Sequence, residues 1–328
     1  MYSIVIPVYN EAKSLETLYA EIDEVAQSQG YDLEVIFVDD GSDDGSWQVV
    51  QQLAATNMRV RGIRLRRNFG KASALSAGFN AARGDMVITM DADLQDNPRE
   101  IPRFLERMKD NLDVVSGWKK VRHDPWHKVL PSRIFNWMVS RLTGVRLHDH
   151  NCGFKCYRRH LFDEIRLYGE LHRFVPVLAS SRGYRVGEIE VGHRKRQHGR
   201  SKYGIARLPK GFLDLLTVKF LTGFGQRPQH ALGTLGLCFF FLGMMGIVVL
   251  TTLWFLTRAP FHWGEPVHLT ERAIFYYSII SLFFGGQLLS LGFLAELMAS
   301  YASRDTQPYS VAERTMLREA ATQTKPDP

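Results

Sequence analysis

Short apolar runs alternate along this chain with segments whose apolar residues recur about every three to four positions. The run YSIVIPV (Tyr2–Val8) is apolar and partly β-branched, and it predicts a strand. Residues 9–30 place Leu15, Leu18, Tyr19, Ile22 and Val25 or Ala26 on one face, a helix stopped at Gly30. The alternation continues with strands over 33–38, 60–65, 86–90 and 113–117. Helices fall between them over 46–56, 70–83 and 101–109. Residues 154–157 and 184–193 predict further strands, with a helix after Arg158-Arg159-His160. Strands and helices alternating at this spacing predict an α/β fold with a mostly parallel sheet covered on both faces.

A different texture follows. Residues 232–256 hold no charged residue over 25 positions, and residues 273–295 none over 23. Each run exceeds the ~20 residues that cross a hydrocarbon core of about 30 Å. A buried core helix is the alternative reading, but two such runs in tandem favour a transmembrane hairpin with spans at 232–256 and about 273–297. Gly233, Gly236, Gly243 and Gly246 in the first, and Gly285, Gly286 and Gly292 in the second, allow close approach. Residues 129–142, with Ile134, Trp137, Met138 and Leu142, are amphipathic. So are residues 205–222: Phe212, Leu215, Leu216 and Phe220 oppose Arg207, Lys210, Asp214 and Thr217. Both suit helices lying in a membrane interface, with packing on the sheet as the alternative. The expected division is an α/β domain at 1–225, a membrane region at 226–300 and a poorly ordered tail at 301–328.

Composition narrows the picture. The 328 residues accommodate one α/β domain with an appendage, and the net charge is +7. Basic excess fits nucleic acid, an anionic membrane or a phosphorylated substrate, and no nucleic-acid module accompanies the basic stretches. Cys152, Cys156 and Cys238 give neither a disulfide framework nor a zinc-type double pair, which fits a reducing compartment. Met1 runs directly into a strand-like segment without a basic leader, so no signal peptide is expected. Residues 194–231 carry nine Lys or Arg and one Asp, whereas residues 257–272 carry only Arg258 and Arg272 against Glu265 and Glu271. The positive-inside rule then places the α/β domain and the tail on the cytoplasmic side of an inner membrane, with the chain crossing twice.

Four polar clusters sit at predicted strand ends: 7–11, 39–45, 91–93 and 149–153. Strand C-termini converge on one edge of an open sheet, where such folds bind ligands. Asp91 and Asp93, at i and i+2 where a strand ends, are expected to point the same way and offer hard oxygens to Mg²⁺ or Mn²⁺ with positions left for phosphate. A solvated acidic loop is the bland alternative. The first βα turn has no GxGxxG, so a dinucleotide fingerprint is absent.

The motifs PVYNE (7–11), VDDGSDDG (38–45), RNFGKASAL (67–75) and DADLQDNP (91–98) resemble glycosyltransferase family 2 with its GT-A fold. DHNCGFKCYRR (149–159) and HGRSKYG (198–204), followed by two spans, resemble its polyprenyl-phosphate branch, which includes dolichyl-phosphate mannosyltransferases and undecaprenyl-phosphate glucosyltransferases. The resemblance implies that Pro7, Tyr9, Glu11 and Asp39 or Asp40 hold the base and ribose of a nucleotide sugar, with Lys71 near its phosphates or base. Asp91 and Ala92 complete that donor site. Asp91, Asp93 and Gln95 would hold the metal, Asp93 and Asp149 are the catalytic candidates, and Asp149 matches a catalytic or acceptor-positioning aspartate. Arg122, Arg133, Arg200 and Lys202 are candidates for the lipid phosphate or the donor diphosphate. The implied reaction is inverting transfer of one sugar to a polyprenyl phosphate, with a UDP-hexose such as UDP-glucose favoured and GDP-mannose possible. A processive polysaccharide synthase shares the early motifs, but its later Gln-x-x-Arg-Trp is not found. A non-catalytic sugar-nucleotide-binding membrane anchor is the rival from another class. A flippase, a second glycosyltransferase and a second copy of the chain are the expected partners.

Overall fold

The computed structural model describes residues 1–120, 126–165, 167, 171–194, 211, 214, 215, 217–219, 222, 228–258 and 268–302. Its seven strands are β1 (Tyr2–Val8), β2 (Leu33–Asp39), β3 (Val60–Arg64), β4 (Met86–Thr89), β5 (Val114–Trp118), β6 (Lys155–Arg158) and β7 (Val186–Glu190). They form one sheet in the order β3-β2-β1-β4-β6-β5-β7. The helices of the sheet domain are α1 (Leu15–Gln29), α2 (Ser46–Thr56), α3 (Lys71–Ala81), α4 (Ile101–Met108), α5 (Trp126–Thr143), α6 (Leu161–Glu164) and α7 (Val175–Ser181).

The central strands are apolar on both faces because both are covered, as parallel sheets require. Ile4, Ile6, Phe37, Ile88 and Phe154 face α1, α2 and α4, burying Leu18, Ile22, Val50 and Phe104 with them. Val5, Ile36, Val38 and Val87 face the other way, onto Leu75 and Phe79 of α3 and Val175 of α7. Alternate residues of one strand serve opposite cores, the period-two geometry of a β-strand. Gly30 caps α1 in the left-handed conformation (φ 65°), donating to the Ala26 and Gln27 carbonyls.

Three expectations are corrected. The first helix begins at Leu15 rather than residue 9, because residues 9–14 form a turn with Asn10 at φ 53°. Strand β6 runs antiparallel to both β4 and β5, while the other strands run one way. The polar cluster at 149–153 therefore reaches the ligand edge from the start of a reversed strand. Finally, β4 ends at Thr89 rather than at residue 90, and Asp91 and Asp93 lie in the turn just beyond the strand end.

Helix α5 has two apolar faces. Phe135 and Val139 pack inward with Leu171, Phe174, Val177, Leu215 and Val218 in a third core cluster. Ile134 and Trp137 point outward, 57% and 68% exposed, beside exposed Arg133 and Arg141. The outward face is thus mixed apolar and basic. In the second amphipathic stretch Leu215 packs on the protein; Phe212, Leu216 and Phe220 lie outside the described residues.

Helices α8 (Pro228–Leu256) and α9 (Ala273–Ala302) form an antiparallel pair with two segments, Gln229–Leu256 and Ala273–Ala295, long and apolar enough to cross a membrane. Glycine sets their separation. A Cβ on Gly243 would lie 2.5 Å from Leu282 N and Ser278 O, and one on Gly236 would lie 2.9 Å from Gly285 O. Ser281 Oγ donates to Phe239 O across the pair at 2.8 Å. Phe241, Met245, Ile280 and Phe283 remain exposed on the outer faces.

Candidate active site

The ligand edge is stitched together by backbone donors and short polar side chains. Ser42 Oγ accepts from Asn10 N at 2.9 Å, Ser46 Oγ from Glu11 N at 2.9 Å, and Asp44 Oδ2 from Ala12 N at 3.0 Å. Asn10 Oδ1 returns the favour by accepting from Asp43 N at 3.0 Å. The loop after β1 and the loop after β2 are thereby one unit, with Pro7 in register with Val38 and Tyr9 exposed beyond it.

Asp39 is fully buried at the end of β2. Its Oδ1 accepts from Ser42 N at 3.2 Å, while Oδ2 accepts no hydrogen bond and lies 3.5 Å from Arg64 Nε. Asp40 accepts from the backbone N–H groups of Phe69 (2.7 Å) and Gly70 (2.9 Å). Burial, with the neighbouring Asp39 charge, raises the Asp40 pKa despite those donors. A Cβ on Gly41 would sit 2.6 Å from the Arg67 backbone, so only glycine admits this approach. The clamp fixes the start of α3 at the ligand edge, where a helix N-terminus favours anions.

Lys71, the first residue of α3, reaches across to hydrogen-bond Asp91 Oδ1. Burial alone would push the Asp91 carboxyl up; Lys71, aided by Lys119, outweighs it and holds the pKa at about 2. Behind this pair, Lys119 Nζ lies 2.7 Å from buried Asp96, and Asp96 Oδ2 accepts from Asp91 N at 3.3 Å. Burial opposes the Lys119 charge, but Asp96 raises its pKa overall. Asp93 and Ala92 are buried in the same turn, and Asp93 Oδ1 accepts from Gln95 N at 3.2 Å. Asp91, Asp93 and Gln95 thus offer hard oxygen donors of the kind Mg²⁺ and Mn²⁺ prefer. The cation already seated on Asp91 is an ammonium, which fits a site built for positive charge. Among the described residues no three His, Cys, Asp or Glu side chains form a ready-made metal cage.

The reversed strand brings the second half of the site. Thr89 is in register with Lys155, and Thr89 Oγ1 donates to Gly153 O at 2.7 Å. Gly153 lies flat against Asp91: a Cβ there would be 2.7 Å from Oδ2 and 2.8 Å from Oδ1. Asp149 is buried one turn earlier, and its Oδ1 accepts from Asn151 N at 3.1 Å. Glu188 of β7 holds this loop. Its Oε1 accepts from His148 N (2.8 Å) and Asp149 N (3.2 Å), and its Oε2 lies 2.7 Å from His148 Nδ1. The His148 ring stacks on Trp118 at 4.1 Å. Beneath the loop, Lys155 Nζ donates to the His150 and Cys152 carbonyls, and burial lowers its pKa to about 8.

Asp40, Gly70, Lys71, Asp91 and Gly153 therefore form an unbroken line of contacts along the edge. Two residues that the motifs do not mark join it. His172, from the Leu171–Phe174 turn, has a buried Nδ1 without a hydrogen-bond partner. Burial, reinforced by Lys71, Arg173 and Lys155, keeps it neutral. Arg194 hydrogen-bonds Glu21 through Nη1 (2.8 Å) and Asn97 through Nη2 (2.6 Å), and its N–H donates to Gln95 O at 3.0 Å. The chain thus enters the basic segment beside the Asp91–Asn97 turn. Of the four candidate phosphate-binding cations, Arg133 sits on the outward face of α5; Arg122, Arg200 and Lys202 lie outside the described residues.

Known proteins resemble this chain. Residues 3–166 match glycosyl transferase family 2. A dodecaprenyl-phosphate galacturonate synthase from Rhizobium johnstonii is 36% identical over 311 residues, covering 92% of this chain and 89% of that protein. An undecaprenyl-phosphate 4-deoxy-4-formamido-L-arabinose transferase from Aeromonas hydrophila is 37% identical over 297 residues, covering 90% and 87%. Among solved structures, glucosyl-3-phosphoglycerate synthase from Mycobacterium tuberculosis, in complex with Mn²⁺ and UDP-glucose, superposes with a TM-score of 0.52 at 16% identity, covering 67% of this chain and 78% of that one. Mannosyl-3-phosphoglycerate synthase from Rubrobacter xylanophilus gives 0.54 at 18%, covering 67% and 73%. The fold is that of GT-A enzymes, and the chain is a glycosyltransferase belonging to glycosyltransferase family 2.

Proposed function

We propose that the protein transfers a single sugar, with inversion, from a nucleotide-diphosphate sugar to the phosphate of a polyprenyl phosphate. The contact of Gly153 with the Asp91 carboxylate carries this reading, because it sets a donor-phosphate turn directly against the Asp149 loop. The two membrane-type relatives support the lipid acceptor. A UDP-hexose, UDP-glucose first, is the favoured donor, with GDP-mannose second; the relatives add galacturonate and formamidoarabinose to the donors worth testing.

In this reading the buried Asp39 carboxylate and the Pro7–Glu11 turn hold the base and ribose. The N-terminus of α3 and Lys71 face the diphosphate. Asp91, Asp93 and Gln95 would hold Mg²⁺ or Mn²⁺, which supplies Lewis-acid stabilisation of the leaving nucleoside diphosphate. A lipid-phosphate oxygen attacks the anomeric carbon as the bond from that carbon to the nucleotide phosphate breaks. An α-linked donor gives a β-linked lipid phosphate. A phosphate monoester with a second pKa of about 6 is mostly dianionic at neutral pH, so it needs no strong base. Asp149 is then an acceptor-positioning residue, held in place by Glu188. Arg122, Arg133, Arg200 and Lys202 offset the repulsion between two phosphorylated substrates.

The hairpin of α8 and α9 crosses the inner membrane, and the outward face of α5 lies at its cytoplasmic surface, at the height of a headgroup phosphate. Residues 1–225, 226–300 and 301–328 are the catalytic, membrane and tail regions. The product is handed to a flippase and a second glycosyltransferase, and the hairpin is available to a second copy of the chain. Radiolabelled UDP-glucose, UDP-galacturonate, UDP-formamidoarabinose and GDP-mannose, each offered with undecaprenyl phosphate in detergent, test the proposal. Lipid-extractable monosaccharide supports it; polymer, or no transfer from any donor, refutes it.

A further inference from the structure

We propose that Lys71 is a resident counter-ion on Asp91 that a divalent cation must displace, and that the nucleotide diphosphate receives the displaced ammonium. Metal and nucleotide then bind cooperatively, and the metal binds weakly alone. The proposal rests on the donor-site reading above.

Lys71 Nζ occupies Asp91 Oδ1 directly, with both side chains largely shielded from solvent. A divalent ion coordinates carboxylate oxygen at about 2.0–2.2 Å, too close to share that lone pair with an ammonium. Asp91 has nowhere to turn, because Gly153 lies against its carboxylate and Asp96 holds its backbone. The mobile partner is Lys71. Its backbone is fixed at the start of α3 by the Asp40 clamp on Gly70, but its flexible four-carbon stem lets the ammonium swing.

Charge decides where it goes. In the turn Lys71 balances Asp91, and the nearby Lys119 balances Asp96. A divalent ion alone would make it net positive, beside Lys155 as a further cation. A diphosphate carrying two negative charges restores the balance and offers the ammonium new oxygens. Linkage makes the effect reciprocal: the metal must tighten nucleotide binding by the factor that the nucleotide tightens the metal.

Mn²⁺ titration followed by electron paramagnetic resonance tests this on the full-length protein in detergent, with and without UDP or GDP. Wild type is expected to bind Mn²⁺ at least tenfold more tightly with nucleotide. Lys71→Gln is expected to bind Mn²⁺ alone at least tenfold more tightly than wild type and to lose most of the nucleotide enhancement. Lys71→Arg, which keeps the charge, follows wild type. Thermal melting checks that each variant is folded, and Lys71→Met supplies a second neutral side chain. If both neutral variants bind Mn²⁺ alone no better than wild type while Asp91→Asn abolishes binding, the counter-ion proposal falls and the metal site stands. If Asp91→Asn binds Mn²⁺ like wild type, or nothing binds it even with nucleotide, the donor-site reading falls too.

Discussion

Gly153→Ala is the sharpest perturbation of the site, because it adds one methyl group and nothing else. Gly153 does not adopt a left-handed conformation, so alanine meets no backbone penalty there. The new Cβ would stand 2.7 Å from Asp91 Oδ2, 2.8 Å from Oδ1 and 2.9 Å from Cγ, where ordinary contact begins at 3.4 Å. Some 0.7 Å must be found by subtraction of the first distance from the last. Neither side yields freely: Lys71 and Asp96 hold Asp91, and Thr89 holds the Gly153 carbonyl. Overpacking of this kind costs about 1–3 kcal/mol. At about 2–4 °C per kcal/mol the melting temperature falls by a few degrees. A displacement near 1 Å in a positioning group costs about 100-fold in turnover. Transfer of radiolabelled sugar into the lipid extract and a thermal melt measure the two effects. Gly286→Ala is the control, since a Cβ there meets nothing within 4 Å. A Gly153→Ala enzyme that melts and turns over like wild type would refute the claim that this wall positions Asp91.

Other outcomes follow from the same geometry. Asp93→Ala is expected to lose turnover almost completely with its fold intact, and EDTA to do the same to wild type; transfer surviving either treatment removes the metal from the account. Glu188→Ala frees the Asp149 loop by leaving two backbone donors unmatched, at a cost of about 1–2 kcal/mol. The KM for lipid acceptor should rise about fivefold or more while that for donor stays level, with Glu188→Gln intermediate; equal rises in both would contradict an acceptor-side role. Burial lowers the His150 pKa from 6.5 to about 4, assisted by Lys155, so the unfolded chain binds the extra proton between those values. Stability should therefore fall as pH drops from 6.5 toward 4, by about 3 kcal/mol from this residue. His150→Gln should flatten that decline in melts at graded pH, leaving the part due to His172; an unchanged slope would count against the assignment.

Much of this architecture is written in the sequence. Apolar runs such as 33–38 and the one-face spacing of Leu15, Leu18 and Ile22 announce their elements because burial leaves them no other pattern. The DAD turn and the Asp39-Asp40 pair stand out in the sequence because neighbouring carboxylates are a local mark. What could not be read is what depends on distant pairing. The reversal of β6 has no mark in KCYR, whose four residues suit either direction. Glu188 looks like one polar residue in an alternating strand, and its hold on His148 and Asp149 exists only through the β5–β7 pairing. His172 sits in a short 3-10 turn without periodicity. Asp96 belongs to the DADLQDNP motif, and the rule that a buried lysine is matched by a carboxylate could have joined Lys119 to it.

The reversed strand also fixes when the candidate site comes into existence. Strands β1 to β4 are complete long before β6 is synthesised, yet the Thr89–Gly153 bond spans 64 positions. Until then the flank of β4 is a naked edge, prone to the wrong partners. Non-local closure of this sort is slow. Emerging chains, which fold from the N-terminus, must therefore guard a half-built sheet before the greasy C-terminal hairpin ever appears.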